Sequence, residues 1–292
     1  MTTGADRSWT VQELLRWTTG HFASRGLSTP RLDAELLLAH ALSVERLRLY
    51  LDFEKPVNPG ERAAFRGLVR RRAALRVPVA QLTGRKEFWS LSLEVTPEVL
   101  APRPETETLV EVALALAPER EAELAVLDVG TGTGAVALAL AWERPKAHIV
   151  ATDPCSKSLQ IARRNADKLG MGDRIALLEG SGYGPVRGRR FDLVVSNPPY
   201  LAESERAALE PELGHEPPRA LFAGPEGLEV LRELAGGAPS VLAPGGALAL
   251  EIAPAQAPAV AALCREAGLE QVTVTRDLGR RPRVVAGRRG RS

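Results

Sequence analysis

The chain has 292 residues, with 38 Lys and Arg residues against 36 Asp and Glu residues and a formal net charge of +2. This balance excludes a protein built to coat a polyanion, and 45% hydrophobic beside 25% charged residues excludes wholesale disorder. No apolar run reaches the roughly 18 residues of a membrane span, and the N-terminus lacks the apolar core of a secretory signal. Cys155 and Cys264 form neither a disulfide framework nor a metal-binding spacing, so we expect a metal-free protein of the reducing cytoplasm.

Residues 1–77 have the pattern of a small all-helical domain. Pro30 fits the first turn of one helix, and Pro59 opens another. Their apolar faces are Leu32, Leu36, Leu37, Ala39 and Leu42 in the first helix, and Phe65, Leu68, Val69 and Leu75 in the second. The rest of the second helix is occupied by Arg66, Arg70, Arg71, Arg72 and Arg76. Such a charge run is usually a solvated face, although it could steer an acidic or RNA-associated partner.

Residues 78–104 predict a β-hairpin linker, because apolar residues alternate with polar or small ones at the period of a strand. From residue 105 to the C-terminus, short apolar runs alternate with helical patterns, which predicts an α/β domain with a buried parallel sheet. The predicted parallel strands are 125–129, 148–152, 175–179, 193–196 and 247–252. Residues 271–276 and 283–286 predict an antiparallel pair at the sheet edge.

A glycine-rich turn follows the first of these strands. Gly130, Gly132 and Gly134 alternate with Thr131 and Thr133 before an apolar helix, so the backbone can approach a ligand closely. The turn also satisfies a loose dinucleotide-binding pattern, and a tight turn without a ligand is the plain alternative.

An acid ends the next strand. Asp153 can accept hydrogen bonds from both ribose hydroxyls, as dinucleotide enzymes and adenosylmethionine enzymes require. The less favoured alternative is that it only caps the helix that follows, and the two interpretations are compatible. A ligand with a ribose is therefore favoured.

The strongest signal is Asn197-Pro198-Pro199-Tyr200, at the end of the fourth predicted strand. Consecutive prolines fix the backbone and remove two N–H donors, so the loop is rigid and rich in acceptors. The side-chain oxygen of Asn197 and the carbonyl of Pro198 could each accept one proton of a planar amide or exocyclic amine, with Tyr200 over its flat face. A simple strand-terminating turn is the bland alternative.

This sequence resembles adenosylmethionine-dependent methyltransferases that modify planar nitrogens, and within them the release factor glutamine methyltransferases. The resemblance covers almost the whole chain, and its motifs fall in the family's order. They are residues 13–17, 78–84, 87–88, 99–107, 130–134, 197–200, 216–221, 245–246, 250–252, 277–278 and 283–285. It implies a Rossmann-like methyltransferase sheet (105–292) with an antiparallel C-terminal edge strand, beside the helical domain (1–77) and the β linker (78–104).

The resemblance also implies S-adenosyl-L-methionine as methyl donor and the glutamine of a Gly-Gly-Gln loop, in a class I peptide chain release factor, as acceptor. The implied cofactor-binding residues are Asp128, Gly130, Thr131, Gly132, Thr133, Gly134, Asp153, Gly182 and Asn197. The implied substrate-binding residues are Arg103, Glu105, Asn197, Pro198, Pro199 and Tyr200, with Asn197, Pro198 and Tyr200 catalytic. We expect a monomer that docks the release factor through the helical domain and linker, without contacting a membrane or nucleic acid.

One position departs from the family pattern. The family usually has an acid and a bulky apolar residue beside adenine, whereas this chain has Glu179-Gly180-Ser181-Gly182-Tyr183. Ser181, the Gly182 backbone or Tyr183 is then expected to replace the acid.

Other functions share parts of this pattern. An N6-adenine nucleic-acid methyltransferase could use the same proline loop, but it should carry a larger base-reading domain and a basic groove. A ribosomal-protein glutamine methyltransferase is nearer, although residues 102–107 look more like the release factor branch. The function of a nicotinamide dehydrogenase would account for the glycine turn but not for the Asn-Pro-Pro-Tyr loop. A non-catalytic cofactor-binding scaffold would not account for this loop either.

Overall fold

The computed structural model describes residues 8–291, and the chain divides into two units between Gly84 and Arg85. The first unit is helical, as expected, with one short antiparallel pair of strands. Its helices are α1 (Val11–Ser24), α2 (Pro30–Ala41), α3 (Arg46–Leu51), α4 (Pro59–Leu75) and α5 (Val79–Thr83), and its strands are β1 (Trp9–Thr10) and β2 (Pro56–Val57).

The helix starts in the first unit follow from local capping. Thr10 accepts from the backbone N–H of Glu13, and the Glu13 carboxylate accepts from the backbone N–H of Thr10. Asn58 and Glu61 form the same reciprocal pair at the start of α4, where Pro59 occupies the first turn. These pairs satisfy N–H groups that the first turn of a helix leaves without partners.

The arginine face predicted for α4 is only partly solvated. Arg66, Arg70 and Arg71 are exposed, but Arg72 is buried, so the sequence interpretation is wrong for that residue. Leu75, placed on the apolar face by its spacing, is exposed. The buried face of α4 therefore differs from the expected one. It includes Arg72, which pairs with a buried acid of α2, and spacing alone does not reveal this partner.

The second unit contains a seven-stranded sheet with helices on both faces, which confirms the expected α/β fold. The sheet order is β12-β13-β11-β8-β5-β6-β7, with β5 (Ala125–Val129), β6 (His148–Asp153), β7 (Ile175–Glu179), β8 (Phe191–Ser196), β11 (Leu242–Glu251), β12 (Leu269–Arg276) and β13 (Pro282–Arg289). The antiparallel edge pair is present, since β12 and β13 run opposite to each other and β13 opposite to β11. Small added elements are the hairpin β3 (Arg85–Phe88) and β4 (Leu91–Glu94), and the pair β9 (Leu201–Ala202) and β10 (Phe222–Gly224).

The helices of this unit are α6 (Glu107–Leu116), α7 (Ala135–Glu143), α8 (Ser156–Lys168), α9 (Pro218–Leu221), α10 (Glu229–Gly237) and α11 (Ala257–Glu266). The hairpin lies where alternation predicts it, but the residues just before it, Val79–Thr83, are helical. Within residues 8–291, no helix is both long and apolar enough to cross a bilayer.

Strand order places the two loops singled out from the sequence beside each other. From β5 the chain first builds outward to β6 and β7, and then returns to add β8 and β11 on the other side. The carboxyl ends of β5 and β8 therefore flank the switch point at which open α/β sheets bind ligands. The glycine turn follows β5, and the Asn-Pro-Pro-Tyr loop follows β8.

Candidate active site

The glycine turn is held in a conformation that side chains disfavour. Gly130, Gly132 and Gly134 have φ of +75°, +55° and +83°. The N–H groups of Gly130 and Thr131 both donate to the Thr152 carbonyl, at 2.8 and 2.9 Å, which ties the turn to the end of β6. A Cβ added at Gly130 or Gly132 would meet no atom within 4 Å, so open space lies against this backbone.

Asp128 braces the turn from inside. It is buried, and its Oδ2 atom accepts from the Thr131 hydroxyl at 2.7 Å and from the Ala137 N–H at 3.2 Å. Burial raises the pKa of this carboxyl to about 6. Asp128 thus fixes the turn and the start of α7, while Thr133 is buried beside it and its carbonyl accepts from Asn165.

Asp153 lies at the carboxyl end of β6, facing the turn. Its Oδ2 accepts from the Gly132 N–H at 3.0 Å, and its Oδ1 accepts from the Cys155 N–H at 2.9 Å. A carboxylate has room for about four hydrogen bonds, and the Ser158 side chain is a third donor to this one, so one position is left for a ribose hydroxyl. Burial raises the pKa of Asp153 above its ordinary value.

The Asn-Pro-Pro-Tyr loop begins from a fixed point. The Ser196 hydroxyl donates to the Val129 carbonyl at 2.6 Å and joins the ends of β8 and β5. The Nδ2 atom of Asn197 donates to the Thr106 hydroxyl at 3.1 Å, so the amide oxygen is left as acceptor. Pro198 is buried and Pro199 is partly buried.

Tyr200 closes the loop. Its carbonyl accepts from Gln256 Nε2 at 2.8 Å, and the same Nε2 donates to Gly227 at 2.9 Å. Burial raises the pKa of the Tyr200 phenol to about 12, so the ring is neutral at physiological pH.

Arg103 and Glu105 lie on the segment that leads into α6. Arg103 pairs with the buried Glu216 at 3.1 Å, and Glu105 pairs with Arg281 at 3.4 Å. Both charges act on the Tyr200 phenol, Arg103 lowering its pKa and Glu105 raising it. The substrate-binding residues expected from the sequence therefore gather around one loop, with Arg103 and Glu105 also engaged in ion pairs.

Comparisons with known proteins identify the family of this chain. Residues 13–84 match the family described as PrmC N-terminal domain, and residues 106–226 match the Methyltransferase small domain. A release factor glutamine methyltransferase of Geobacter sulfurreducens is 42% identical over 97% of this chain and 98% of its own length. One of Deinococcus radiodurans is 42% identical over 96% and 98%. The chain belongs to the release factor glutamine methyltransferase family.

Solved structures agree with this family's fold. A methyltransferase from Pyrococcus furiosus superposes with a TM-score of 0.50 at 21% identity, covering 68% of this chain and 89% of its own. At that identity the likeness extends to the fold alone.

Tyr183 is one of the three groups expected from the sequence to replace the family's acid beside adenine. The Tyr183 hydroxyl donates to the Leu234 carbonyl at 2.9 Å, and the ring packs in the core against α10. The Tyr183 hydroxyl therefore already has a partner, whereas Ser181 is exposed and Gly182 has φ of +53°.

Sequence reasoning missed Thr106 and Glu251 as parts of this site. Thr106 binds Asn197, and Glu251 ends β11, the strand paired with β8. Burial raises the pKa of Glu251 to about 7. Glu251 could have been found in the sequence in the same way as Asp153, because each is an acid at the carboxyl end of a buried strand.

Proposed function

We propose that this chain transfers a methyl group from S-adenosyl-L-methionine to the side-chain amide nitrogen of the glutamine in the Gly-Gly-Gln loop of class I peptide chain release factors. Relatives of nearly the same length carry the name of that activity. The observation that supports it most directly is the fixed amide of Asn197, which leaves its oxygen as an acceptor, and the carbonyl of the next residue, Pro198, can provide a second acceptor. Two acceptors match the two protons of a carboxamide nitrogen.

The residues at the switch point fit the methyl donor. Asp153 keeps an acceptor position for a ribose hydroxyl, and the backbone at Gly130 and Gly132 faces open space where a methionine portion could lie. Ser181 and the Gly182 backbone remain for adenine. When bound, the donor supplies an electrophilic methyl group on a sulfonium.

The mechanism depends on positioning, because a carboxamide nitrogen is a poor nucleophile. Asn197 Oδ1 and the Pro198 carbonyl accept hydrogen bonds from the two amide N–H groups and increase the electron density on the nitrogen. Tyr200, neutral and rigidly held, covers the flat face of the amide. The nitrogen gains a methyl group and releases one proton, so the product retains one N–H for these acceptors.

The helical unit provides a surface suited to a protein substrate. A groove of about 480 Å³ lies between α1 and α4. It is lined by Trp9, Leu14, Trp17, Thr18, His21, Arg25, Arg62, Phe65, Arg66, Val69, Arg70, Ala73 and Ala74. Trp17 is 53% exposed and stacks on His21, with 5.1 Å between ring centroids.

This lining contains four arginines and no acid, so it complements an acidic segment with apolar anchors. We assign the groove to such a segment of the release factor. The chain would act as a monomer in the cytoplasm, where release factors work, without binding nucleic acid.

The test is mass spectrometry of a purified class I release factor incubated with this protein and a methyl-labelled donor, beside an adenine-containing nucleic acid. The expected result is one added methyl group on the glutamine of the Gly-Gly-Gln loop. Label in the nucleic acid alone would replace the proposed substrate with adenine, and no label in either would refute both.

A further inference from the structure

The hydroxyl of Thr106 lies between two side chains of the site. It accepts from Asn197 Nδ2 at 3.1 Å, and it hydrogen-bonds to the carboxylate of Glu251. Thr106 and Glu251 are both almost fully buried, with 3% and 1% of their surfaces exposed. The three residues form a continuous chain of hydrogen bonds that ends at the substrate-facing amide.

Counting donors fixes the direction of this chain. An ionised carboxylate only accepts, so the single proton of Thr106 must point to Glu251. Thr106 can then only accept from Asn197, which selects Nδ2 on that side. The Asn197 oxygen is consequently turned away from Thr106 and toward the position where two acceptors are needed.

Glu251 is placed to take this role by strand pairing. It follows Leu250, which pairs with Ser196, so Glu251 ends β11 beside the start of the Asn-Pro-Pro-Tyr loop. Its Oε2 atom is buried and has no hydrogen-bond partner. The charges of Arg283 and Glu105 act on the pKa of Glu251, and the charge of Glu251 in turn acts on the pKa of Tyr200.

We propose that Thr106 and Glu251 are positioning residues that hold the Asn197 amide with its oxygen toward the substrate nitrogen. The inference rests on the proposed methyl transfer and adds two residues to it. Neither residue needs to touch the substrate, since each acts through Asn197.

Protonation of Glu251 should release this arrangement. A neutral carboxyl can donate to Thr106, whose own proton can then turn toward Asn197. The amide is free to reverse and to present Nδ2, a donor, to the two protons of the substrate. Turnover should therefore fall as the pH drops below the pKa of Glu251. Burial raises this pKa to about 7, and the positive charge of Arg283 acts in the opposite direction.

The first experiment compares Thr106→Val, which keeps shape but removes the hydroxyl, with Thr106→Ser, which restores it. We expect kcat with the release factor to fall roughly tenfold to a hundredfold in Thr106→Val and to recover in Thr106→Ser. Thr108→Val, at a buried position in the first turn of α6, the helix that Thr106 precedes, is the matched control. Cofactor affinity should be unchanged in all three, and equal losses in the Val and Ser variants would overturn the proposal.

The second experiment measures kcat against pH for the wild type and Glu251→Gln. The acid-side decline should be present in the wild type and absent in Glu251→Gln, and Thr106→Val should add little to the loss in Glu251→Gln, because both act on one amide. Persistence of the decline in Glu251→Gln would contradict the assignment.

A readout independent of turnover separates this proposal from the proposed function. The side-chain NH₂ resonance of Asn197, identified by its loss in Asn197→Ala, should shift in Thr106→Val and titrate with Glu251 in the wild type. No methylation of the release factor together with these shifts would reject the function but keep the positioning chain. Normal methylation with an unshifted Asn197 resonance would support the function but reject the positioning chain.

Discussion

Arg72 and Asp33 form a buried ion pair in the helical unit, with 2.7 Å between Nε and Oδ2 and each side chain 6% exposed. The pair joins α4 to α2, and Asp33 also accepts from the Thr29 hydroxyl at 2.7 Å. Arg72 is therefore a structural residue within an arginine-rich helix.

Replacing Asp33 with Ala should destabilise the helical unit strongly, because the buried Arg72 would lose the carboxylate with which it forms an ion pair. The expected loss is about 3–5 kcal/mol. Hydrogen–deuterium exchange of peptides from residues 8–84 measures it in the full chain. Arg48→Ala removes a more exposed pair with Asp52 in the same unit and should cost at most about 1 kcal/mol. Equal effects of the two changes would contradict the assigned role.

Much of the second unit could be predicted because its strands are buried apolar runs. Strands 125–129 and 175–179 have the predicted bounds, and the loops that follow β5 and β8 carry unmistakable glycines and prolines. Their meeting at one sheet edge follows from parallel pairing.

What could not be predicted involves polar residues paired across distant parts of the chain. Thr106 and Asn197 are 91 positions apart, and Asp33 and Arg72 are 39 apart. Spacing assigns a residue to a face of its own helix but does not identify a buried partner on another element. The partner of the Tyr183 hydroxyl, a carbonyl of α10, is another contact that spacing does not reveal.

Asn197→Ala should reduce kcat on the order of a thousandfold, because the site loses one of its two acceptors for the amide protons. Cofactor binding should largely survive, since Asp153 and the glycine turn are untouched. Isothermal titration with the cofactor and a single-turnover methylation assay separate the two effects. Turnover near the wild-type level would show that the role given to this side chain is wrong.

Cofactor affinity should decline as pH falls, and it should do so at a higher pH than an exposed aspartate would produce. The ribose hydroxyls need the ionised form of Asp153, and burial raises its pKa above the ordinary value of about 3.9. The dissociation constant is therefore lowest well above the folded pKa and rises as the carboxyl protonates. Asp153→Asn should bind weakly with a flat pH profile in the same titration. A wild-type affinity independent of pH down to about 4 would argue against this contact.

Gly132→Ala and Gly134→Ala should fail in different ways. Both impose a left-handed φ on alanine, which costs about 1–2 kcal/mol. A Cβ at Gly134 also crowds Leu138 and Ala162, at 3.2 and 3.3 Å, so this variant should have the lower melting temperature without cofactor.

A Cβ at Gly132 meets open space, so that variant should lose cofactor affinity, roughly tenfold, beyond its loss of stability. Gly170→Ala, at φ of +70° and also facing open space, controls for backbone strain alone. If Gly132→Ala bound cofactor as well as Gly170→Ala, the cofactor would not lie against this turn.

Charge reversal in the groove should weaken docking of the release factor without affecting the chemistry. Arg66 and Arg70 are exposed and line the groove, so the double change to Glu should raise KM for the protein substrate, roughly tenfold for two lost charge contacts, and most at low salt. The kcat and the cofactor affinity should not change. Arg71→Glu, exposed on the same helix but outside the groove, is the matched control, whereas Arg72 is unsuitable because its reversal would break the buried pair. Steady-state kinetics over a range of salt concentrations provide the measurement. If KM rose equally in Arg71→Glu, the overall electrostatic potential of the protein would explain the effect, and the groove would not be the docking site.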